Sequence, residues 1–204
     1  MNKLYLFGAF ILLALASTVE AHKGYHYAGL AGTAPTDYTA AGMMMPHSPI
    51  DISKHSHAIG WTILWDAYDT GQFVEIGIGY NRAESKKVVL WWASPQHPTI
   101  KKVASVPFGT WVDVSLRKVP GEPYVIATWT WSGNEITKRI AVPGWTSNVG
   151  YHPTKAEIYS KKSDHPNNVE IRFEDVTTAP GDTLRWHIEG PWEPYGDYST
   201  FTVR

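Results

Sequence analysis

The chain of 204 residues contains no cysteine. That absence excludes thiolate catalysis, iron–sulfur clusters and cysteine zinc sites, and it leaves the fold without covalent staples. Charge imbalance is missing too. Eighteen Lys and Arg stand against nineteen Asp and Glu, so no basic footprint for nucleic acid or anionic membrane is present. Long apolar runs are limited to one, Leu4 to Ala16, which is shorter than the roughly 20 residues a membrane span takes. Lys3 precedes this run and the small-residue stretch Val19-Glu20-Ala21 follows it. Residues 1–21 therefore read as a signal peptide, cleaved before His22. The expected mature chain, 22–204, is secreted and has no further contact with membrane. Internal repeats, low-complexity tracts, charge blocks and sustained helical periodicity are all lacking.

What is present is β-type sequence. The mature chain is long enough for one domain with an unstapled core. Short apolar runs recur at 58–65, 72–80, 87–93, 110–118, 123–131, 135–142, 155–160, 168–174, 183–188 and 198–204. Turn residues such as Asp69-Thr70-Gly71, Pro120-Gly121, Ser132-Gly133-Asn134 and Pro180-Gly181-Asp182 separate them. This spacing predicts an all-β, two-sheet antiparallel β-sandwich of the concanavalin-like jelly-roll kind. Residues 22–50, rich in Gly, Ala, Thr and Pro, read as an irregular lead-in with room for one short helix. In the run 73–80, alternation sends Val74, Ile76, Ile78 and Tyr80 to the core, and Phe73, Glu75, Gly77 and Gly79 outward. The two glycines are expected to leave the surface beside Glu75 low and open. Glu157 likewise opposes Ala156 and Ile158.

Three constellations offer chemistry. Glu75 and Glu157 supply a carboxylate pair, and two carboxyls held close divide into one acid and one base. A mature N-terminus at His22, with His26 or with His55 and His57, offers nitrogen ligands for copper, and Met43 to Met45 offer soft ones. The histidine spacing matches no zinc motif and the aspartates match no calcium loop, so no cofactor is expected. Finally, ten tryptophans are present: 61, 65, 91, 92, 111, 129, 131, 145, 186 and 192. They suit either a sandwich core or a surface on which sugar rings stack. Trp91 and Trp92, being adjacent on one strand, must point to opposite faces.

A resemblance bears on the first of these. The stretches Gly42-Met43-Met44-Met45-Pro46, His55-Ser56-His57 and Val74-Glu75-Ile76-Gly77 resemble the opening strands of neprosin-type secreted glutamic peptidases. Lys155-Ala156-Glu157-Ile158-Tyr159 is similar to the strand carrying the second acid, there and in the related eqolisins. This chain is a divergent, cysteine-free version of the pattern: Lys155-Ala156-Glu157 stands where the family has Gly-Gly-Glu, and Glu75 stands where eqolisins have a Gln. The resemblance spans about residues 40–175. It implies a β-sandwich whose concave face binds an extended polypeptide, with one glutamate activating water and the other protonating the leaving group. On this reading Glu75 and Glu157 are catalytic and Gln72, Trp61, Phe73 and Tyr159 bind substrate. The rival expectation is a non-catalytic, lectin-like module that binds polysaccharide on the same face.

Overall fold

The computed structural model describes residues 25–32, 36–49, 57–66, 71–81, 87–145, 149–151, 153–159, 169–177, 183–190 and 192–204. Within them fifteen strands, and no helix, form two antiparallel sheets. The first sheet runs in the order β13 (Arg185–Glu189), β1 (Tyr25–Ala31), β11 (Thr154–Tyr159), β3 (His57–Asp66), β4 (Phe73–Asn81), β5 (Val88–Ser94) and β6 (His97–Val106). A short β10 (Val149–Tyr151) pairs with the far end of β3. The second sheet runs β14 (Pro194–Gly196), β15 (Phe201–Val203), β12 (Ile171–Glu174), β2 (Tyr38–Met44), β7 (Val112–Lys118), β8 (Tyr124–Trp131) and β9 (Asn134–Ala141). The architecture is the jelly-roll-like sandwich that the spacing of runs and turns predicts. Residues 1–21, expected to be a signal peptide, and His22 lie outside the described residues.

Alternation builds the core. Val74, Ile76 and Ile78 of β4 are wholly buried, as are Val112 and Leu116 of β7 and Val125, Ala127 and Trp129 of β8. These side chains fill the space between the sheets as one apolar cluster. Within it sits a small polar exception. The Thr62 hydroxyl is 2.9 Å from that of Thr39 on the opposing sheet, and receives a hydrogen bond from Thr154 at 3.1 Å. All three threonines are buried. Because the hydroxyls satisfy one another and the Pro153 carbonyl, the desolvation cost of burying them is offset.

Two parts of the chain depart from the sequence expectation. The supposed lead-in holds no helix among its described residues; instead it supplies β1 and β2, each interior to its sheet. Their cores, Ala-Gly-Leu-Ala and Ala-Ala-Gly-Met-Met, are built from weak strand formers. Pairing on both sides makes them strands, which is a tertiary effect and invisible to local propensity. β6 was also not legible, for the opposite reason. It is an edge strand, exposed along most of its length, so it lacks the apolar alternation that marks buried strands.

The glycines of β4 do different work from that expected. A Cβ on Gly77 would lie 1.9 Å from the carbonyl oxygen of Gly60 on β3, and one on Gly79 would lie 2.5 Å from Ile59 Cγ2 and 3.3 Å from Trp91 Nε1. The space above them is therefore filled by neighbours, and the surface is not left open. The two positions are expected to respond differently. Gly77→Ala meets backbone and must displace β3, with a loss of about 4 kcal/mol or failure to fold. Gly79→Ala meets the branch methyl of buried Ile59, a stiff side chain but not backbone, and its loss should be smaller, about 2–3 kcal/mol. Thermal unfolding of the two variants, side by side, measures the ordering.

Candidate active site

The outer face of the first sheet gathers most of the side chains in question. The same parity that buries Ile76 turns Phe73 and Glu75 outward on β4. On β3 it turns out Ile59, Trp61, Ile63 and Trp65, and on β11 Lys155, Glu157 and Tyr159. Ile59, Trp61, Ile63, Val89, Trp91 and Ala93 form a second apolar cluster, distinct from the main core, with Tyr27, Trp65 and Phe73 packed against it. This cluster is the floor on which the polar groups stand.

Register fixes the relation of the two acids. Glu157 pairs with Ile59, which pairs with Gly79, while Glu75 pairs with Ile63. The acids are thus two strands apart and offset by four residues, roughly 10 Å across and 13 Å along a flat sheet. Trp61 occupies the diagonal between them. The carboxyls are not hydrogen-bonded to each other, yet the charge of Glu157 acts on Glu75. Burial first, and that charge second, push the Glu75 carboxyl well above the ordinary glutamate value of 4.5. No described side chain donates to it, so desolvation goes uncompensated and the neutral acid is favoured.

Glu157 is held differently. His57 Nε2 stands 3.0 Å from Glu157 Oε1, placed for the imidazole N–H to donate to the carboxylate. The His57 ring stacks on Tyr159 at 5.5 Å, which fixes its plane. Two residues before Glu157, Lys155 is buried on the same face, its ammonium 6.0 Å from the centre of the Trp61 ring. Lys155 Nζ contacts His187 Nδ1 on β13, and His187 Nε2 lies 2.7 Å from Glu189 Oε1. Burial lowers the Lys155 pKa to about 8, against the opposing pull of Glu189 and Glu157.

Of the residues expected to bind substrate, Trp61, Phe73 and Tyr159 share the face of the two acids, and Phe73 stacks on Trp65 at 5.2 Å. Gln72 does not. It precedes β4 with the parity of core-facing Val74, and its side-chain oxygen accepts from Gln96 Nε2 at 3.1 Å. Sequence reading missed Lys155, His187 and Glu189 as a group. Alternation along β13 puts His187 and Glu189 on one side, but nothing local indicates that β13 pairs with β1 and so reaches Lys155.

The other constellations fare less well. His26 is buried, and its ring leaves no room for a Cβ on Gly190, which would come within 2.2 Å of Nδ1. His55 lies outside the described residues, and Met43 to Met45 are buried core. All ten tryptophans are buried or half-buried. Trp91 joins the outer cluster while Trp92 packs against the core, as adjacency demands. The indole N–H groups of Trp61 and Trp91 are buried with no acceptor among the described residues.

No protein-family model and no curated protein sequence matches the chain. Solved structures do. A crystal structure of scytalido-glutamic peptidase with a peptide-based transition-state analogue aligns with TM-score 0.62 and 10% identity, covering 89% of this chain and 98% of that one. SCP-B, a member of the eqolisin family of peptidases solved with the tripeptide Ala-Ile-His, aligns with TM-score 0.60 and 11% identity over 89% and 98%. The fold is therefore eqolisin-like. At these identities the likeness is one of fold. A carbohydrate-binding module from Bacillus subtilis aligns only at TM-score 0.36 and 7% identity, too weakly to inform the reading.

The environment of Glu75 has a measurable consequence for stability. Its folded value lies above its unfolded one, so the contribution of its neutral form is complete below about pH 4.5 and is lost as pH rises through the folded value. Glu75→Gln keeps the volume and removes the titration. The variant should match the parent in thermal stability at pH 4 and exceed it at pH 8. Melting temperatures of both proteins at the two pH values test this, and equal differences at both would contradict the assigned environment.

Proposed function

We propose that the protein is a secreted acid endopeptidase whose outer-face groove takes an extended polypeptide, with Glu75 and Glu157 as its acid and base. The observation that carries this reading is the unequal treatment of two like groups on one face. Glu75 sits without a donor in an apolar setting that favours its protonated form, while Glu157 is oriented by the His57 imidazole. Such a division is what general acid–base hydrolysis of an amide needs. Glu157 would take a proton from the attacking water and Glu75 would give one to the departing amine; with their backbones two strands and four residues apart, this requires the two side chains to reach toward each other over Trp61.

Trp61 lies between the acids as part of the apolar floor beneath them. Phe73, Trp65 and Tyr159 line the two ends of the same face. The fold shared with glutamic peptidases supports this use of the surface, and residues 1–21 support export. A sugar-stacking platform finds less support, since no tryptophan is exposed.

The test is cleavage of an unfolded protein substrate between pH 3 and 6, followed by mass spectrometry of the products. Glu157→Gln should lower kcat/KM by a factor of about 10³ or more, because an amide accepts no proton at that pH. Glu75→Gln preserves shape and a hydrogen-bond donor but has no proton to transfer, and should cost about 10² to 10⁴. The double variant should be hardly worse than the more damaged single one, as expected of groups acting together. Full activity in either single variant, or none in the parent, would refute the assignment.

A further inference from the structure

The Glu189–His187–Lys155 chain has no part in the mechanism just given, yet it ends beside the proposed base. Its geometry is ordered. The ammonium of Lys155 can donate to His187 Nδ1, which leaves the proton of the neutral ring on Nε2, where it donates to Glu189 Oε1 at 2.7 Å. Lys155 stands on the face of Glu157, two residues away on the same strand, and is only 4% exposed. A cation that deeply placed needs partners. The chain to Glu189 supplies one side, and the field of Glu157 supplies another. Burial also means that the attraction is poorly screened, unlike that of a surface ion pair.

We propose that Lys155, backed by His187 and Glu189, is a positioning residue that places a fixed positive charge beside Glu157 and so makes Glu157, not Glu75, the ionised member of the pair. The inference rests on the peptidase reading for its kinetic test but on geometry alone for its electrostatic one. Topology supports the assignment of sides. Lys155 pairs across β3 with Trp61, and Glu75 lies beyond that indole on β4. The ammonium is therefore on the Glu157 side of the tryptophan. The other ionisable or charged groups facing Glu157 are His57 from β3, Tyr27 from β1, Tyr159 on its own strand, and Arg185 and Glu189 from β13. Among them Arg185 is exposed, and His57 contacts the carboxylate directly. Lys155 is the buried cation of the set.

The experiment compares parent, Lys155→Met, Lys155→Arg and Glu189→Gln. At a separation of about 7 Å and an effective dielectric between 20 and 40, loss of the charge should raise the acid limb of the kcat/KM profile by about one pH unit in Lys155→Met. The rate should then fall about tenfold at the acid end and at most a few-fold on the plateau. Lys155→Arg should restore most of the limb, and Glu189→Gln, which removes a negative charge from the same face while Lys155 stays protonated, should move it slightly the opposite way. A catalysis-independent arm follows the Glu157 carboxyl carbon by 13C NMR in parent and variants, where its titration midpoint should move in step with the limb. A shifted midpoint in a protein that cleaves nothing would uphold the electrostatic role while removing the peptidase reading. A uniform loss of rate with limb and midpoint unmoved would show that Lys155 is merely structural and would overturn the proposal. Should Lys155→Met fail to fold, the same midpoint measured in Lys155→Gln decides, and no movement there counts against it.

Discussion

The close seating of β4 against β3 governs everything on the outer face. At Gly77 there is no space between the strands for even one carbon beyond the backbone, and at Gly60 none on the core side, where Ile171 and Phe173 of the other sheet press in. These two contacts pin β3 from both faces. Since β3 also pairs with β11, its position sets the relation of Glu157 to Glu75 and holds Trp61 between them. A slip of one residue in either pairing would turn an acid into the core and an apolar residue outward. The register is thus enforced by sterics at the glycines and by burial at every second residue.

The outer face then uses one sheet for two opposed environments. Around Glu75 the surroundings are apolar and donor-poor. Around Glu157 they are crowded with nitrogen: His57, Lys155 and, two strands away on β13, His187. Nothing in the chemistry of the two side chains distinguishes them. The distinction comes from which strand each occupies, and therefore from which neighbours the sheet order delivers.

That is also where legibility in the sequence ended. The strand runs of β4, β7 and β8 could be read because one face of each is buried and the alternation shows, and β3 because it is a continuous apolar run buried on both faces. The outward parity of Glu75, Phe73 and Glu157 followed from the same signal. β1 and β2 could not be read, since their Ala and Gly residues become strand only through partners on both sides. The openness expected at Gly77 and Gly79 failed for a related reason, because whether a missing side chain leaves a void depends on what the neighbouring strand places there. Gln72 precedes β4 with the parity of Val74, so the strand's own alternation separates it from Phe73 and Glu75. The Lys155–His187–Glu189 chain joins residues from β11 and β13 across the intervening β1, a proximity that no local pattern encodes.

The three buried threonines give the outer face a mechanical character. Thr62 and Thr154 lie on the reverse side of the very strands that carry Trp61, Lys155 and Glu157, and their hydroxyls link through Thr39 to the other sheet. Apolar packing between sheets tolerates sliding, since dispersion has little directional preference, whereas a hydroxyl chain has definite angles and resists shear. The sandwich is thereby keyed directly beneath its working surface. If that face takes a polypeptide as proposed, it would act as a mould and not as a pair of jaws. A chain laid across it would supply its own straightness, so the loss of conformational freedom would fall on the ligand. Segments already unfolded and extended would then be favoured over those that would first have to be pulled from a folded partner.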